Sequence, residues 1–185
     1  KKARILSEAL TLFSTQGYVA TSLADIARAS DISKAGLLHH YSSKDQLLAA
    51  VLDERDRRIV SRLPRPEEGA EAALDACVAM VAHNQRHPDG LALYTAMSAA
   101  VIDSKHQAHP WFREHLIGAI SYLVEAFEHG KTTGEVREDA PSEQIARRLV
   151  AISDGLQIQW LCSRADGGRA LNMHEVMAGV AVAMK

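Results

Sequence analysis

The segment 21–44 constrains the fold more than any other, because its polar residues mark the starts of closely spaced short helices. Ser22 and Asp25 have the spacing of a capping box, so a helix should begin just after Ser22. Asp31 is one of the few residue types besides glycine that tolerate a left-handed turn, and Ser33 can cap the helix that follows. A helix, a tight turn and a second short helix predict a helix-turn-helix, whose second helix commonly lies in the DNA major groove.

Apolar residues recur at helical spacing along the rest of the sequence, and no alternating strand pattern competes with them. Ser43 with Gln46 again has capping-box spacing, while Pro64 and the pair Gly130 and Gly134 are expected helix ends. The sequence therefore predicts an all-α protein of about nine helices. They are expected at 2–16, in the two helices of segment 21–44, and at 44–62, 68–86, 91–102, 109–127, 141–162 and from 172 onward.

Charge is unevenly distributed along the chain. The whole sequence carries a formal net charge of −2 at pH 7, whereas residues 1–50 contain six Lys or Arg against four acidic residues. A mildly basic N-terminal head on an acidic body is typical of a small nucleic-acid reader attached to a domain with another role. The asymmetry is modest, so it supports the helix-turn-helix interpretation without establishing it.

The sequence lacks the usual signs of other protein classes. Cys77 and Cys162 lie far apart, which argues against a disulfide framework or a structural zinc site and favours a reducing cytoplasm. We find no apolar run of about 18 residues that could span a membrane, and no signal peptide. A glycine-rich phosphate loop, a GxSxG elbow and a CxxC pair are also missing. We therefore expect a cytoplasmic protein that is not an enzyme and needs no metal or cofactor.

The N-terminal quarter resembles the DNA-binding domain of the TetR family of one-component transcriptional repressors. Matching residues at fixed spacing are Gly17-Tyr18, Thr21-Ser22, Asp25-Ile26-Ala27, Ile32-Ser33-Lys34, Leu37, His39-His40-Tyr41, Ser43-Lys44 and Leu47-Leu48. The sequence departs from the family pattern at Asp31, usually glycine, at Gly36, often a hydroxyl residue, and at Leu38, usually tyrosine. Segments 134–139 and 154–156 are also similar to the family's C-terminal half.

The resemblance implies a homodimeric regulator, specifically a repressor that binds a palindromic operator in double-stranded DNA and is released by a small-molecule effector. Residues 1–47 would form the helix-turn-helix DNA-binding domain, linked through the helix 44–62. Residues 48–185 would form the ligand-binding and dimerisation domain. The segment 64–69, rich in proline and glycine, is the expected connection between head and body.

The expected recognition helix begins at Lys34, and its first turn would point into the groove. Lys34 could reach guanine O6 or N7 or else a phosphate, Ala35 could meet a thymine methyl, and Gly36 lets the backbone approach closely. His39 shares a face with Ala35, and Leu38 could pack on a sugar or thymine. The other expected DNA-binding residues are Thr21, Ser22, Ser33, His40 and Lys44, among which Ser22, His40 and Lys44 would by resemblance hold phosphates.

A ligand cavity in the body is implied by the resemblance, and six residues combine apolar bulk with polar tips as small-molecule pockets do. They are His83, Tyr94, Met97, Trp111, Phe112 and Gln157. Ordinary core packing is the alternative for each of them. Any effector must bind the released arrangement more tightly than the DNA-bound one, because equal affinity shifts no equilibrium.

The last two long helices of the family form a four-helix bundle with those of a second subunit. One apolar stripe here consists of Leu149, Ile152, Leu156 and Trp160, and a second of Val176, Gly179, Val180 and Ala183. The same stripes could serve an intrachain core equally well. We expect a dimer seam, because a terminal helix with an apolar face has few other partners.

Two rival functions use other features of the sequence. His83 and His87 are four residues apart and could share a metal, but His87 precedes a proline at an expected helix end, which spoils a common face. A metal-binding helical protein is therefore the weaker interpretation. The other rival is a helical protein-interaction module whose DNA-binding head is no longer functional.

Overall fold

The computed structural model describes residues 1–165 and 171–184. Within these residues the regular secondary structure is entirely helical. The helices are α1 (Lys2–Gln16), α2 (Leu23–Ala29), α3 (Lys34–His40), α4 (Lys44–Val60), α5 (Ala70–Arg86), α6 (Pro88–Ala100), α7 (His109–Thr133), α8 (Ser142–Ala165) and α9 (Met173–Met184). A 3-10 turn at Pro66–Glu68 lies between α4 and α5. The predicted all-α fold is confirmed.

The capped helix starts of the first segment occur where the sequence predicted them. Ser22 and Asp25 make both bonds of a capping box, and the Ser33 hydroxyl accepts from the Gly36 amide. Asp31 adopts a φ of 56°, the left-handed conformation expected of it. At α4 the Ser43 hydroxyl accepts from the Gln46 amide at 3.1 Å as predicted, but the Gln46 side chain accepts from the Ser42 amide, at 2.6 Å.

Several helix limits differ from the prediction, and two of these differences have a clear physical reason. Pro88 and Gly90 lie inside the first turn of α6, where proline is tolerated because the first amides of a helix have no intrahelical partner. Gly130 lies inside α7, which continues to Thr133 and ends before Gly134 with a φ of 82°. A Cβ on Gly130 would lie 2.8 Å from Val136 Cγ2, so this glycine permits close packing and does not end the helix.

The described chain divides into two compact units. The head unit comprises Lys1–Val60 and His87–Phe112, and the body unit comprises Ser61–Arg86 with the described residues from Arg113 onward. α6 therefore packs in the head unit, against α1 and α4. Its predicted burial is evident at Leu93 and Tyr94, which are 1% and 4% exposed. The predicted boundary at residue 47 separates DNA binding from ligand binding. The packing units do not test it, and it stays a prediction.

The core of the head unit joins all three helices of the helix-turn-helix region to α4 and α6. Its largest fully buried side chains are Ile5, Ile26, Leu37, Leu47, Leu48, Leu52 and Leu93. Burying an aliphatic side chain of this size stabilises a fold by about 1.5–3 kcal/mol. The orientation of the short α3 is therefore fixed from behind by apolar packing.

The body unit is held by contacts between residues distant in sequence. α5 packs against α9, and the Glu135 carboxylate accepts from the amides of Ala70 and Glu71, at 2.9 and 3.4 Å, at the start of α5. This carboxylate satisfies two of the amides that a helix N-terminus leaves unpaired. Gly69 has a φ of 99°, and a Cβ there would lie 2.6 Å from the Glu135 oxygens. None of the described helices is long and apolar enough to cross a membrane.

Candidate nucleic-acid interface

The short helix α3 presents one exposed face. Lys34, Ala35, Leu38 and His39 are exposed, whereas Leu37 is completely buried. These positions follow the helical repeat, so the four residues lie on the side opposite the core. This exposed face carries a long cation at its first position and includes Leu38, which is 39% exposed.

The turn before α3 is fixed by local hydrogen bonds. The Ile32 amide donates to Ala27 O at 3.0 Å, and the Gly36 amide donates to Ser33 Oγ at 3.0 Å. A Cβ on Gly36 would lie 3.3 Å from Ser33 Oγ, so a larger residue would press on this cap. Ser33 therefore positions the first turn of α3, and its side-chain oxygen already has a hydrogen-bond partner.

Lys44 is placed differently from a freely extended phosphate ligand. Its Nζ donates to Tyr18 O at 2.9 Å and Thr21 O at 3.0 Å, with Val19 O at 3.4 Å, and it lies 4.4 Å from the centre of the Tyr18 ring. The ammonium thus binds the loop 17–21 to the start of α4. Its expected phosphate contact is not tested by this geometry, but its charge is shared with backbone carbonyls.

Tyr18 completes this connection between the loop and α4. Its hydroxyl donates to Asp45 Oδ1, and its ring packs 5.4 Å from the Phe13 ring. Burial raises the pKa of Tyr18, and the neighbouring Asp45 carboxylate raises it further. Local sequence gives no sign of this bond, because Tyr18 lies in a loop and Asp45 lies 27 residues away in α4.

Thr21 and Ser22 differ in their access to solvent. Thr21 is 1% exposed, and its hydroxyl donates to Gly17 O at 2.8 Å and to Leu12 O at 3.2 Å. Its hydroxyl therefore braces the loop from inside the head unit, which differs from the expected DNA contact. Ser22 is exposed, but its Oγ lies 2.5 Å from Asp25 Oδ2 within the capping box.

The Asp25 carboxylate is stabilised in its charged form. Hydrogen bonds from Ser22 and the ion pair with Arg28, at 2.5 Å, hold the pKa of Asp25 below its usual range. This negative charge lies at the N-terminus of α2, where the helix dipole favours an anion.

His39 and His40 lie at the end of α3 with their rings 5.8 Å apart in an edge-on arrangement. His39 is exposed and His40 is half-buried. Val19 is 89% exposed in the loop that Lys44 holds, and the sequence analysis did not select it. An unusually exposed valine can be found only once the loop's orientation is known.

Four expected ligand residues lie together in the head unit. Tyr94, Met97 and Phe112 are buried at 4%, 8% and 3% exposure, and the Tyr94 and Phe112 ring centres are 5.1 Å apart. Trp111 donates from Nε1 to Asp53 Oδ1 of α4 at 2.8 Å. The Tyr94 and Phe112 rings thus join α6 to the start of α7, and the Trp111 hydrogen bond joins α7 to α4.

The other two expected ligand residues, His83 and Gln157, lie in the body unit. His83 Nδ1 is 2.7 Å from Arg62 Nη1. Gln157 is 4% exposed, its Nε2 lies 3.4 Å from Ser153 Oγ, and its Oε1 has no hydrogen-bond partner among the described residues. Buried polar atoms are normally paired with protein or water, so this oxygen is a candidate for a bound molecule.

The expected dimer residues fall into a buried and an exposed set. In α8, Leu149, Leu156 and Trp160 are 2%, 5% and 6% exposed within one protomer, which is the intrachain alternative, and Ile152 is half-buried. In α9 the exposed members of the predicted stripe are Val176, Gly179 and Ala183, whereas Val180 is half-buried against the core of the body unit. Ile158, on a different face of α8, is 52% exposed.

Within the described residues, no group of three or more His, Cys, Asp or Glu side chains is arranged to hold a metal ion. His83 lies in α5, whereas His87 precedes the first residue of α6. The two histidines are therefore not on one continuous helix, as the proline after His87 predicted.

Known proteins share both the sequence of the head and the fold of the chain. The sequence profile described as "Bacterial regulatory proteins, tetR family" matches residues 5–51. The helix-turn-helix transcriptional repressor Rv3405c of Mycobacterium tuberculosis is 39% identical over 75 residues, which are 40% of this chain and 40% of that protein. The chain thus matches less than half the length of this curated relative.

Solved structures extend the likeness to the whole chain. Salmonella enterica GusR has a TM-score of 0.78 at 25% identity and covers 99% of this chain and 94% of its own. Bacillus subtilis FadR in complex with stearoyl-CoA has a TM-score of 0.77 at 14% identity, over 100% of this chain and 97% of its own, and shows the shared fold. The capped helix-turn-helix and the profile match agree that the N-terminal quarter resembles the DNA-binding head of the TetR family of bacterial regulatory proteins, and the likeness to GusR extends the shared fold over the whole chain.

Proposed function

We propose that this protein is a homodimeric repressor that binds a palindromic operator through α3 and leaves it when a small molecule binds the body. The observation that carries the proposal is the exposed face of α3, with Lys34 at its first position and Leu37 anchored in the core. Such a helix can enter a major groove without rearranging its backbone. The protein would act in the cytoplasm, where its operator is.

The DNA contacts are divided between reading and positioning. We assign base-edge contacts to Lys34 and Ala35, and sugar or base contacts to Leu38 and His39, because all four are exposed on one face. Ser22, His40 and the amide end of α4 are the phosphate candidates. Thr21, Ser33 and the Lys44 side chain act by holding the loop and the helix starts in place.

The dimer contact in this proposal uses the exposed residues of the last helices. Val176, Gly179 and Ala183 form a continuous face of α9, and Val176 is 39% exposed. Ile158 of α8, at 52% exposure, is a further apolar residue that a second subunit could cover. A twofold dimer would set the two half-sites about one helical turn of DNA apart, roughly 34–36 Å, or somewhat more.

The effector would contact Gln157, because its Oε1 is buried without a partner among the described residues. The family resemblance implies that release from DNA is accompanied by a shift of α4, on which α6 is packed through the Arg55 guanidinium, 4.4 Å from the Tyr94 ring centre. Two relatives support this half of the proposal. Rv3405c is named a repressor, and FadR of Bacillus subtilis was solved with stearoyl-CoA bound.

Selection of bound sequences from a random duplex library, at fixed moderate salt, tests the proposal. We expect enrichment of a palindrome whose half-sites fit a twofold dimer. Lys34→Ala is the matched control, since it changes the reading face and leaves the core untouched. Absence of any enriched sequence, with only weak salt-sensitive binding, would favour a helical interaction module instead.

A further inference from the structure

An apolar groove of about 660 Å³ lies in the body unit, between α7 and the first turns of α8. Its lining residues are Arg113, Leu116, Ile117, Ile120, Ser121, Val124, Glu125, Glu143 and Arg147. Ile117 is 47% exposed, although Ile120 and Val124 beside it are partly buried against the core of the body unit. The groove therefore has an exposed apolar residue, Ile117, beside residues that pack against the core of the body unit.

The residues of α7 that face this groove repeat at the spacing of a helix-packing seam. Arg113, Ile117, Ile120 and Val124 follow one another at intervals of four, three and four residues. This is the a/d pattern with which two helices pack side by side. Ser121 is small and exposed, so a second helix can approach closely on that side.

Opposite charges line the two ends of the groove. Arg113 lies at the N-terminal end and Glu125 at the C-terminal end, so the helical rise places them about 18 Å apart along α7. When the twofold axis crosses α7 at right angles midway between these residues, the two copies of α7 run antiparallel and each Arg113 lies at the level of the partner copy's Glu125. The seam is complementary to itself, as an isologous contact requires.

We propose that the groove receives α7 of a second copy of this chain, packed antiparallel with the paired charges at both ends. The apolar residues supply most of the attraction, because exposed ion pairs contribute about 0–1 kcal/mol each. Arg113 already lies 2.9 Å from Glu114, and both side chains are exposed, at 65% and 70%. Arg113 can therefore leave Glu114 and pair with the partner copy's Glu125 at little cost in free energy.

This contact is separate from the α9 face of the proposed dimer, and it does not rest on the proposed function. A chain with two isologous surfaces assembles beyond a dimer at sufficient concentration. The charges set the register and orientation of such a contact more than its strength. Reversing one of them should therefore disrupt the α7 contact, and reversing both should restore it.

The test is the weight-average mass of the full chain by sedimentation equilibrium, from about 1 to 100 µM, a range spanning typical micromolar association constants. We expect Arg113→Glu and Glu125→Arg each to lower the mass at high concentration by up to twofold. The double variant Arg113→Glu with Glu125→Arg should return to the wild-type curve. Arg137→Glu is the matched control, since it reverses an exposed arginine paired with Asp139 away from the groove.

Two results would overturn the proposal. Single variants with the wild-type mass would show that α7 does not join two copies of the chain. If such a chain bound an amphipathic dye, the groove would instead be a binding site for a small molecule. A double variant that stays as light as the single variants would show that the charges do not face each other. Val176→Glu separates the two surfaces, because it should disrupt the proposed α9 dimer and leave the charge-reversal response intact.

Discussion

The head unit and the body unit satisfy their polar groups in different ways. In the helix-turn-helix region the caps are local, since Ser22, Ser33 and Ser43 each accept from an amide three residues ahead. In the body unit the start of α5 is capped by Glu135, 65 residues away from Ala70. Gln157 keeps a buried oxygen without a partner among the described residues.

The two units are therefore suited to different tasks. A head whose caps and core are fixed locally can present α3 in one orientation, as sequence reading of DNA requires. Among the described residues the body unit has four buried side-chain polar atoms without a partner and the head unit has two, so the body offers more groups that a ligand can satisfy.

The largest effect is expected for Leu37→Ala in the head core. Leu37 is fully buried, and removing its side chain should lower the free energy of unfolding by about 2–5 kcal/mol. Denaturant unfolding followed by circular dichroism measures the change. Leu38→Ala is the matched control, because an exposed neighbour should cost within about 0.5 kcal/mol while weakening DNA binding. Equal losses at the two positions would contradict the assignment of core and reading faces.

Gly69→Ala should be the next most damaging change, this time in the body unit. Its φ of 99° is unfavourable for alanine, and the new Cβ would press on the Glu135 carboxylate. We expect a loss of about 1–3 kcal/mol in unfolding free energy. Gly118→Ala in α7 has no atom within 4 Å to meet and should stabilise the chain slightly. A harmless Gly69→Ala would mean that the Glu135 cap can move.

Lys34→Ala should lower discrimination between the selected operator and a mismatched one by about 1–3 kcal/mol, because Lys34 is assigned to a base edge. Competition binding with single-base variants of the operator measures it. Uniform weakening over all sequences with a shallower salt slope would make Lys34 a phosphate contact instead. Lys44→Met, by contrast, should weaken all operators through the loop 17–21 that the ammonium holds.

Gln157→Met should raise the free energy of unfolding by up to about 1 kcal/mol, because it removes a buried oxygen without a described partner. The same variant should lose its response to any molecule that releases the wild type from DNA. Thermal unfolding and operator release are the two measurements. Gln159→Met, at an exposed position, is the control and should change neither. A destabilised Gln157→Met would show that the amide is satisfied in the protein.

The smallest effect concerns pH. Burial and Asp45 raise the pKa of Tyr18 above its ordinary value of 10.0, so the folded head holds the neutral phenol. The stability that this contributes is fully present below pH 10.0 and is lost as the pH rises above it. We expect the wild type to lose more stability between neutral pH and pH 11 than Tyr18→Phe, measured by urea unfolding. Parallel curves would contradict a role for the Tyr18 hydroxyl.

Much of the head could be predicted because its signals are local. The caps at Ser22 and Ser33, the left-handed Asp31 and the buried Leu37 follow from residues only a few positions apart. The site itself was predicted less completely. Thr21 has the expected residue type, but its hydroxyl is used within the head, and nothing in the local pattern distinguishes the two roles.

The body was predicted only in outline. Helical periodicity located α7 and α8, but it could not decide that Leu149 and Trp160 are buried in their own protomer while Val176 is exposed. A helix can have several apolar faces, and the neighbour that covers each one is a property of the packing. Gly130 likewise has the signature of a helix end, and only its contact with Val136 explains why α7 continues through it.

Local sequence patterns specified the all-α architecture and the helices of the helix-turn-helix. They could do so because caps, turns and apolar periodicity act between residues within one or two turns. The tertiary structure alone decided that α6 packs in the head unit, that Lys44 binds loop carbonyls and that Glu135 caps α5. Each of these joins groups more than 20 residues apart, and their meeting depends on how helices pack, which no local pattern specifies.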